Sequence, residues 1–213
     1  TRQNWKSAVF IVLLFVGIYI VRTVVSMAGQ GVFDGNGMQY VKEWAAMFKD
    51  PVMWLNIVAL PINYFFVFIA FFGEEYGWRY YLQPILQKKF GLRAGVIVLG
   101  VVWGLWHIPD DLFYYTQTSG IQMIFAQQIT CIALGIFFAY AYMKTKNIWV
   151  PVCLHYLNNN LIPIISGTFS ADVLENQTVS WKELPAALVL NGLCFGFFLL
   201  ADVFKKKEVQ KED

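Results

Sequence analysis

The chain has 213 residues, of which 58% are hydrophobic, 18% aromatic and only 14% charged, with a formal net charge of +2. That composition and a positive mean hydropathy belong to a membrane protein and exclude an ordinary soluble domain. The near-neutral total says little by itself, because the distribution of charge along the chain carries more information, and no nucleic-acid partner is expected.

Six hydrophobic segments reach or approach the roughly 17–25 residues a spanning helix needs. They lie near Ala8–Val25, Val52–Phe72, Ala94–Ile108, Ile121–Met143, Ile148–Ile165 and Leu184–Val203. The first carries basic residues, an apolar core and Ser26-Met27-Ala28, which are also the marks of a signal peptide with a small-x-small cleavage site. Because the chain retains it, a membrane helix is expected. Gly29 to Gly37 is expected to be a flexible turn. Met38, Val41, Ala45 and Phe48 then recur at helical spacing opposite Gln39, Lys42, Glu43 and Lys49, the pattern of a helix lying in the membrane interface.

Asp50-Pro51 suits an N-cap followed by proline at the first helical position. The second span has no strong breaker between Phe72 and Tyr81 and continues past Glu74 until Pro84 disturbs it. Lys88-Lys89-Phe90-Gly91-Leu92-Arg93 forms the next turn. A helix from Val52 to Lys88 would be ~55 Å long, more than a bilayer needs; a kink at Pro61, a tilt or a projecting end must absorb the excess. The third span is short and is expected to extend at either end.

Lysines and arginines sort by side. Arg2, Lys6, Arg79, Lys88, Lys89, Arg93, Lys144, Lys146 and Lys205 to Lys207 fall together. The opposite side holds mainly Lys42, Lys49 and Lys182, with Asp110, Asp111, Asp172 and Glu175. By the positive-inside rule both termini are cytoplasmic, in a multi-pass protein of the cell membrane. Cys131, Cys153 and Cys194 lie singly in hydrophobic runs and read as small apolar fillers, not as a disulfide frame or a zinc knuckle. No repeat, low-complexity segment or polar linker divides the chain. The expected fold is a single all-α polytopic membrane bundle over residues 1–213, with about six transmembrane helices and an interfacial helix near residues 38–49.

Ionisable residues inside such a chain are costly unless paired or used. Glu74-Glu75-Tyr76-Gly77-Trp78-Arg79 and the chain's two histidines, His107 and His155, all stand in apolar surroundings. Counting along the helices, Glu74 lies ~21 Å above Lys88, His107 ~21 Å above Arg93 and His155 ~13 Å above Lys146, so the three can meet at similar depth. Glu75 and Arg79 are four apart with the acid first, the favourable helical pairing, which makes Arg79 the charge partner of the acidic pair. Glu74 is turned about 100° from Glu75, so one carboxylate is free for a substrate while the other supports. Trp103 is one turn before His107 and can pack under its imidazole. His155 and Asn159 share a face and can both donate to one oxygen, as an oxyanion requires. Asn158 and Asn160 point elsewhere, where bonds between helices are expected.

Together these residues suggest hydrolysis. A buried glutamate acts as a general base on water, a histidine orients the water or passes a proton to the leaving amine, and the His155–Asn159 pair stabilises the tetrahedral intermediate. Zinc held by Glu74, His107 and His155 with a water in fourth place is the competing chemistry, although no H-E-x-x-H pair is present. A non-catalytic scaffold or a proton-coupled transporter is the other alternative.

Glu74-Glu75-x-x-x-Arg79, Trp103-x-x-x-His107 and His155-x-x-x-Asn159, in this order, resemble the three motifs of the CPBP (Abi) family. That family comprises the CAAX prenyl endoproteases and bacteriocin-processing enzymes. The resemblance runs from about Val52 to Val203 and leaves the first span outside. It implies an all-helical intramembrane endopeptidase in which Glu74 and His107 activate water, His155 and Asn159 form the oxyanion hole, and Glu75 and Arg79 support the site. Trp103 replaces the family's usual phenylalanine, which alters pocket shape. The prenyl-protease branch implies a glutamate-dependent enzyme without metal. Its bacterial members imply, as substrate, a short membrane-associated peptide such as a pheromone or bacteriocin, or a role in immunity; cleavage of prenylated proteins is the eukaryotic role. The expected partners are thus a membrane-associated peptide or protein and the lipid bilayer.

Overall fold

A computed structural model describes residues 2–168 and 170–205; of the expected basic terminus, Lys206 and Lys207 lie outside the described residues. Helices account for the regular structure, and no strand occurs among the described residues. The chain is an all-α membrane bundle. Four helical stretches, Asn4–Gly29, Pro51–Phe90, Leu92–Phe113 and Gly120–Thr145, are long and apolar enough to cross a membrane.

Helix α1 (Arg2–Asp34) buries Ile11, Phe15 and Tyr19 at four-residue steps while Phe10, Leu13 and Val21 stay exposed. One face therefore packs on the bundle and the other is left for lipid. The expected turn at Gly29–Gly37 is confined to Gly35 and Asn36. Helix continues to Asp34 because only Gly35, at φ +79°, leaves the right-handed region, a conformation glycine adopts without steric cost. Helix α2 (Gly37–Met47) occupies the position expected of the amphipathic helix, and its Trp44 Nε1 donates to the Ile165 carbonyl at 2.7 Å.

Helix α3 (Pro51–Glu75) starts as its sequence indicates, with the Asp50 carboxylate accepting from the Val52 N–H at 2.9 Å. It passes without a break into a π-helical segment, Tyr76–Leu82, and then into α4 (Gln83–Phe90). The irregularity thus falls after Glu75, not at Pro61. Pro84 lacks the N–H that would bond the Tyr80 carbonyl, and its ring crowds that oxygen. The turn before it widens, and π segments of this kind are frequent at functional sites.

Gly91, at φ +88°, reverses the chain into α5 (Leu92–Trp106). The third span is longer than its core, as α5 bends at His107 and runs on through α6 (Ile108–Phe113). Helix α7 (Gly120–Thr145) contributes much of the core, and α5 packs directly on it: a Cβ on Gly100 would lie 2.6 Å from the Ile132 Cα. Backbone approach of this kind is how small residues join membrane helices.

Helix α8 (Trp149–Ser166) covers the fifth expected segment; His155 and three asparagines dilute its apolarity. After the short α9 (Ala171–Glu175), the sixth segment departs from the expected single span. It is α-helical only as α10 (Leu184–Cys194), followed by 3₁₀ turns at Gly196–Leu200 and Asp202–Phe204. Phe195 sits at the break with its ring fully buried, 5.8 Å from Phe15 and 5.6 Å from Phe137. Packing of that ring, with glycine next in sequence, outweighs continuation of the helix.

Candidate active site

Glu75 and Arg79 stand one turn apart where α3 widens, and both are fully buried. Arg79 Nε donates to Glu75 Oε2 at 2.8 Å. Its Nη1 donates to the Gly135 carbonyl of α7 at 3.2 Å. The guanidinium lies over Trp103, 5.3 Å from the ring centre, and over Phe138 at 5.4 Å. These contacts are the cation–π arrangement that a desolvated arginine adopts against aromatic faces. The ion pair indicated by the four-residue spacing is present, and the Arg79 bond to the Gly135 carbonyl ties its helix to α7.

The second oxygen of Glu75 has a partner that local spacing does not suggest. His155, on α8, places Nδ1 2.9 Å from Glu75 Oε1. A carboxylate accepts only, so Nδ1 carries a proton and Nε2 is left for other partners. Phe71 and Trp103 pack edge-on against this imidazole, at 5.2 and 5.4 Å between ring centres.

His107, at the bend between α5 and α6, meets the other side of the site. Its Nδ1 lies 2.8 Å from the Trp103 carbonyl. That carbonyl likewise requires an Nδ1–H donor and leaves Nε2 free. Trp103 also packs edge-on against His107 at 5.8 Å. Both imidazoles therefore rest on one indole, with Arg79 on the same ring. The structure brings Glu75, Arg79, Trp103 and His155, all buried, into one cluster with the half-buried His107.

Glu74 is half-buried and, among the described residues, makes no hydrogen bond or ion pair. Cys131, on α7, places its sulfur 3.8 Å from His107 Nδ1. Asn159 is exposed, and its Oδ1 accepts from Asn158 Nδ2 at 2.9 Å. Asn158 bonds between helices as expected, accepting from the Tyr19 hydroxyl of α1. Asn160 does not: its amide turns back to the Tyr156 carbonyl within α8 at 3.0 Å, since that acceptor is one turn away on its own helix.

Two residues of the site were not anticipated. Cys131 is no mere filler, because α7 places it against His107. Asp111 is fully buried, and neither carboxylate oxygen has a hydrogen-bond partner among the described residues. It follows His107 by four residues and its N–H bonds the His107 carbonyl at 2.9 Å; that spacing was the available signal. Among the described residues no three His, Cys, Asp or Glu side chains stand together so as to hold a metal ion.

The fold and this cluster define a polytopic α-helical membrane protein with a buried glutamate–arginine–histidine centre. Residues 54–161, half of the chain and every motif residue above, match the family model described as Type II CAAX prenyl endopeptidase Rce1-like, and the chain belongs to that family. It is 27% identical over 140 residues to a protein of Methanococcus maripaludis named CAAX prenyl protease 2, covering 62% of this chain and 49% of that protein. A putative membrane peptidase of Bacillus subtilis, YdiL, is 25% identical over 118 residues, 55% of this chain and 42% of that protein. The chain thus spans about half the length of the curated relatives it matches. No solved structure matches it.

Proposed function

We propose that the chain is an intramembrane endopeptidase that hydrolyses a peptide bond of a membrane-associated peptide or protein, with water activated by Glu74. The observation that carries this reading is the division between the adjacent carboxylates. Glu75 has both oxygens engaged by Arg79 and His155, whereas Glu74 is half-buried and makes no hydrogen bond among the described residues. Family membership supports the peptidase class.

In this mechanism Glu74 takes one proton from water while His107 Nε2 accepts a hydrogen bond from the other O–H and fixes the water's orientation. The oxygen adds to the substrate carbonyl, and the C–N bond then breaks as Glu74 returns its proton to the leaving amine. Developing charge on the carbonyl oxygen is met by the Asn159 amide and by His155. With Nδ1–H committed to Glu75, His155 donates from Nε2 as the imidazolium, whose charge the Glu75 carboxylate balances. The proposed route uses no metal. The distribution of Lys and Arg supports cytoplasmic termini in the cell membrane, and a short bacterial peptide, pheromone- or bacteriocin-like, is the proposed substrate.

The test is reconstitution of the full chain in vesicles with two probes, a farnesylated peptide ending in Cys-aliphatic-aliphatic-x and a non-lipidated amphipathic peptide, read by mass spectrometry. Cleavage is expected, and Glu74→Gln, which keeps shape but removes the base, abolishes it. A Glu74→Gln variant turning over at the normal rate overturns the assignment. Cleavage of the amphipathic peptide alone favours the bacterial substrate class.

A further inference from the structure

Helix α1 lies outside the residues 54–161 that define the family, yet it reaches the site. Tyr19 is buried, its ring edge-on to Phe15 at 5.0 Å and tilted against Phe195 at 5.1 Å, so its position is set by the aromatic core. From there its hydroxyl donates to Asn158 Oδ1. A phenol has one hydrogen, and an amide has one acceptor oxygen and one donor nitrogen. Once Asn158 Oδ1 is taken, its Nδ2 faces away and donates to Asn159 Oδ1 at 2.9 Å. Each link fixes which way round the next amide stands.

The consequence falls on Asn159. With its oxygen held by Asn158, both of its N–H groups are left to donate, and the side chain is exposed. An oxyanion needs a donor aimed at it before charge develops. A free asparagine can present oxygen or nitrogen with little preference; this one cannot without breaking its hydrogen bond from Asn158. Arg22 strengthens the first link, since its guanidinium lies 5.6 Å from the Tyr19 ring centre and a nearby cation makes a phenol a better donor.

We propose that Tyr19 is a positioning residue: acting through Asn158, it holds the Asn159 amide with its N–H groups turned outward as the oxyanion donor. The inference rests on the proposed role of Asn159 and adds to it a residue from the first membrane helix.

The experiment uses the full chain in vesicles and the two probe peptides above. Asn159→Ala is expected to lower kcat by about 100- to 1000-fold. Tyr19→Phe, which keeps the ring and its packing, lowers kcat roughly 3- to 10-fold with KM unchanged. Asn158→Ala does the same, and the Tyr19→Phe/Asn158→Ala double variant is no slower than either single one. In an Asn159→Ala background Tyr19→Phe has no further effect. A purely structural tyrosine would instead lower thermal stability and slow the Asn159→Ala enzyme as much as the wild type. A second measurement needs no turnover: solid-state NMR of ¹⁵N-asparagine-labelled protein in lipid should show the Asn158 and Asn159 side-chain amide signals shifting together in Tyr19→Phe. Unmoved signals, or full kcat in Tyr19→Phe while Asn159→Ala is slow, overturn the relay and leave the peptidase reading intact. Full kcat in Asn159→Ala overturns the oxyanion role itself.

Discussion

Arg79→Ala tests the centre of the site most directly. The substitution leaves Glu75, fully buried, with His155 as its remaining hydrogen-bond partner. It also removes the bond to the Gly135 carbonyl and empties the slot between Trp103 and Phe138. Removing one partner of a buried pair costs about 3–5 kcal/mol, most of it from the uncompensated charge that remains. For a chain of this size each kcal/mol moves the unfolding midpoint by about 2–4 °C, so a fall of roughly 6–20 °C is expected. The assay is thermal unfolding of wild type and variant purified in one detergent, alongside cleavage of the two probe peptides. Glu75→Gln/Arg79→Met separates fold from chemistry. With both charges replaced, much of the stability returns, but His155 loses its carboxylate and turnover stays low. An Arg79→Ala protein with an unchanged midpoint and full turnover would refute the reasoning.

Two further outcomes follow from the packing and the donor geometry. Gly100→Ala puts a methyl 2.6 Å from the Ile132 Cα; the overpacking costs about 1–3 kcal/mol and displaces α5, with Trp103 and His107, from α7. Lower stability and lower turnover are expected together, whereas Gly192→Ala, where nothing lies within 4 Å, changes the packing little; equal behaviour of the two variants would count against close α5–α7 contact. Metal analysis is expected to find no stoichiometric ion, and stringent chelation to leave turnover unchanged. Recovery of activity by zinc in a chelated, metal-free sample would replace the glutamate route with a zinc site, where ligands stand at ~2.0–2.2 Å.

Local spacing revealed the parts of this molecule that are local. Asp50-Pro51 announced the start of α3, and Glu75-x-x-x-Arg79 announced its ion pair, because an i,i+4 relation depends only on helix geometry. The bond from Glu75 to His155 crosses 80 residues, and spacing within either motif is silent about it. Depth counting placed the motifs at similar height but not around a common side chain. The end of the sixth segment was illegible for a similar reason, since hydropathy continues through Leu184–Val203 and the break is set by where the Phe195 ring must go. Asp111 was read as one charge among several outside the membrane; only the bend at His107 turns it inward.

Trp103 shows how one residue joins the motifs. Its ring is edge-on to His107 and to His155 and lies beneath the Arg79 guanidinium, so a rigid plane spaces the two imidazoles. A phenylalanine has a smaller face and would cover less of the guanidinium. The larger ring carries a penalty, because Trp103 Nε1 is buried with no hydrogen-bond partner among the described residues, a state that costs about 1–3 kcal/mol. Contact with the cation offsets part of that cost, at about 2 kcal/mol when desolvated. The indole is therefore tolerated here because Arg79 lies over it, and Arg79 is held there because Glu75 and the Gly135 carbonyl engage its nitrogens. The arginine that appears from spacing to serve the acidic motif alone also sets the wall on which both histidines rest.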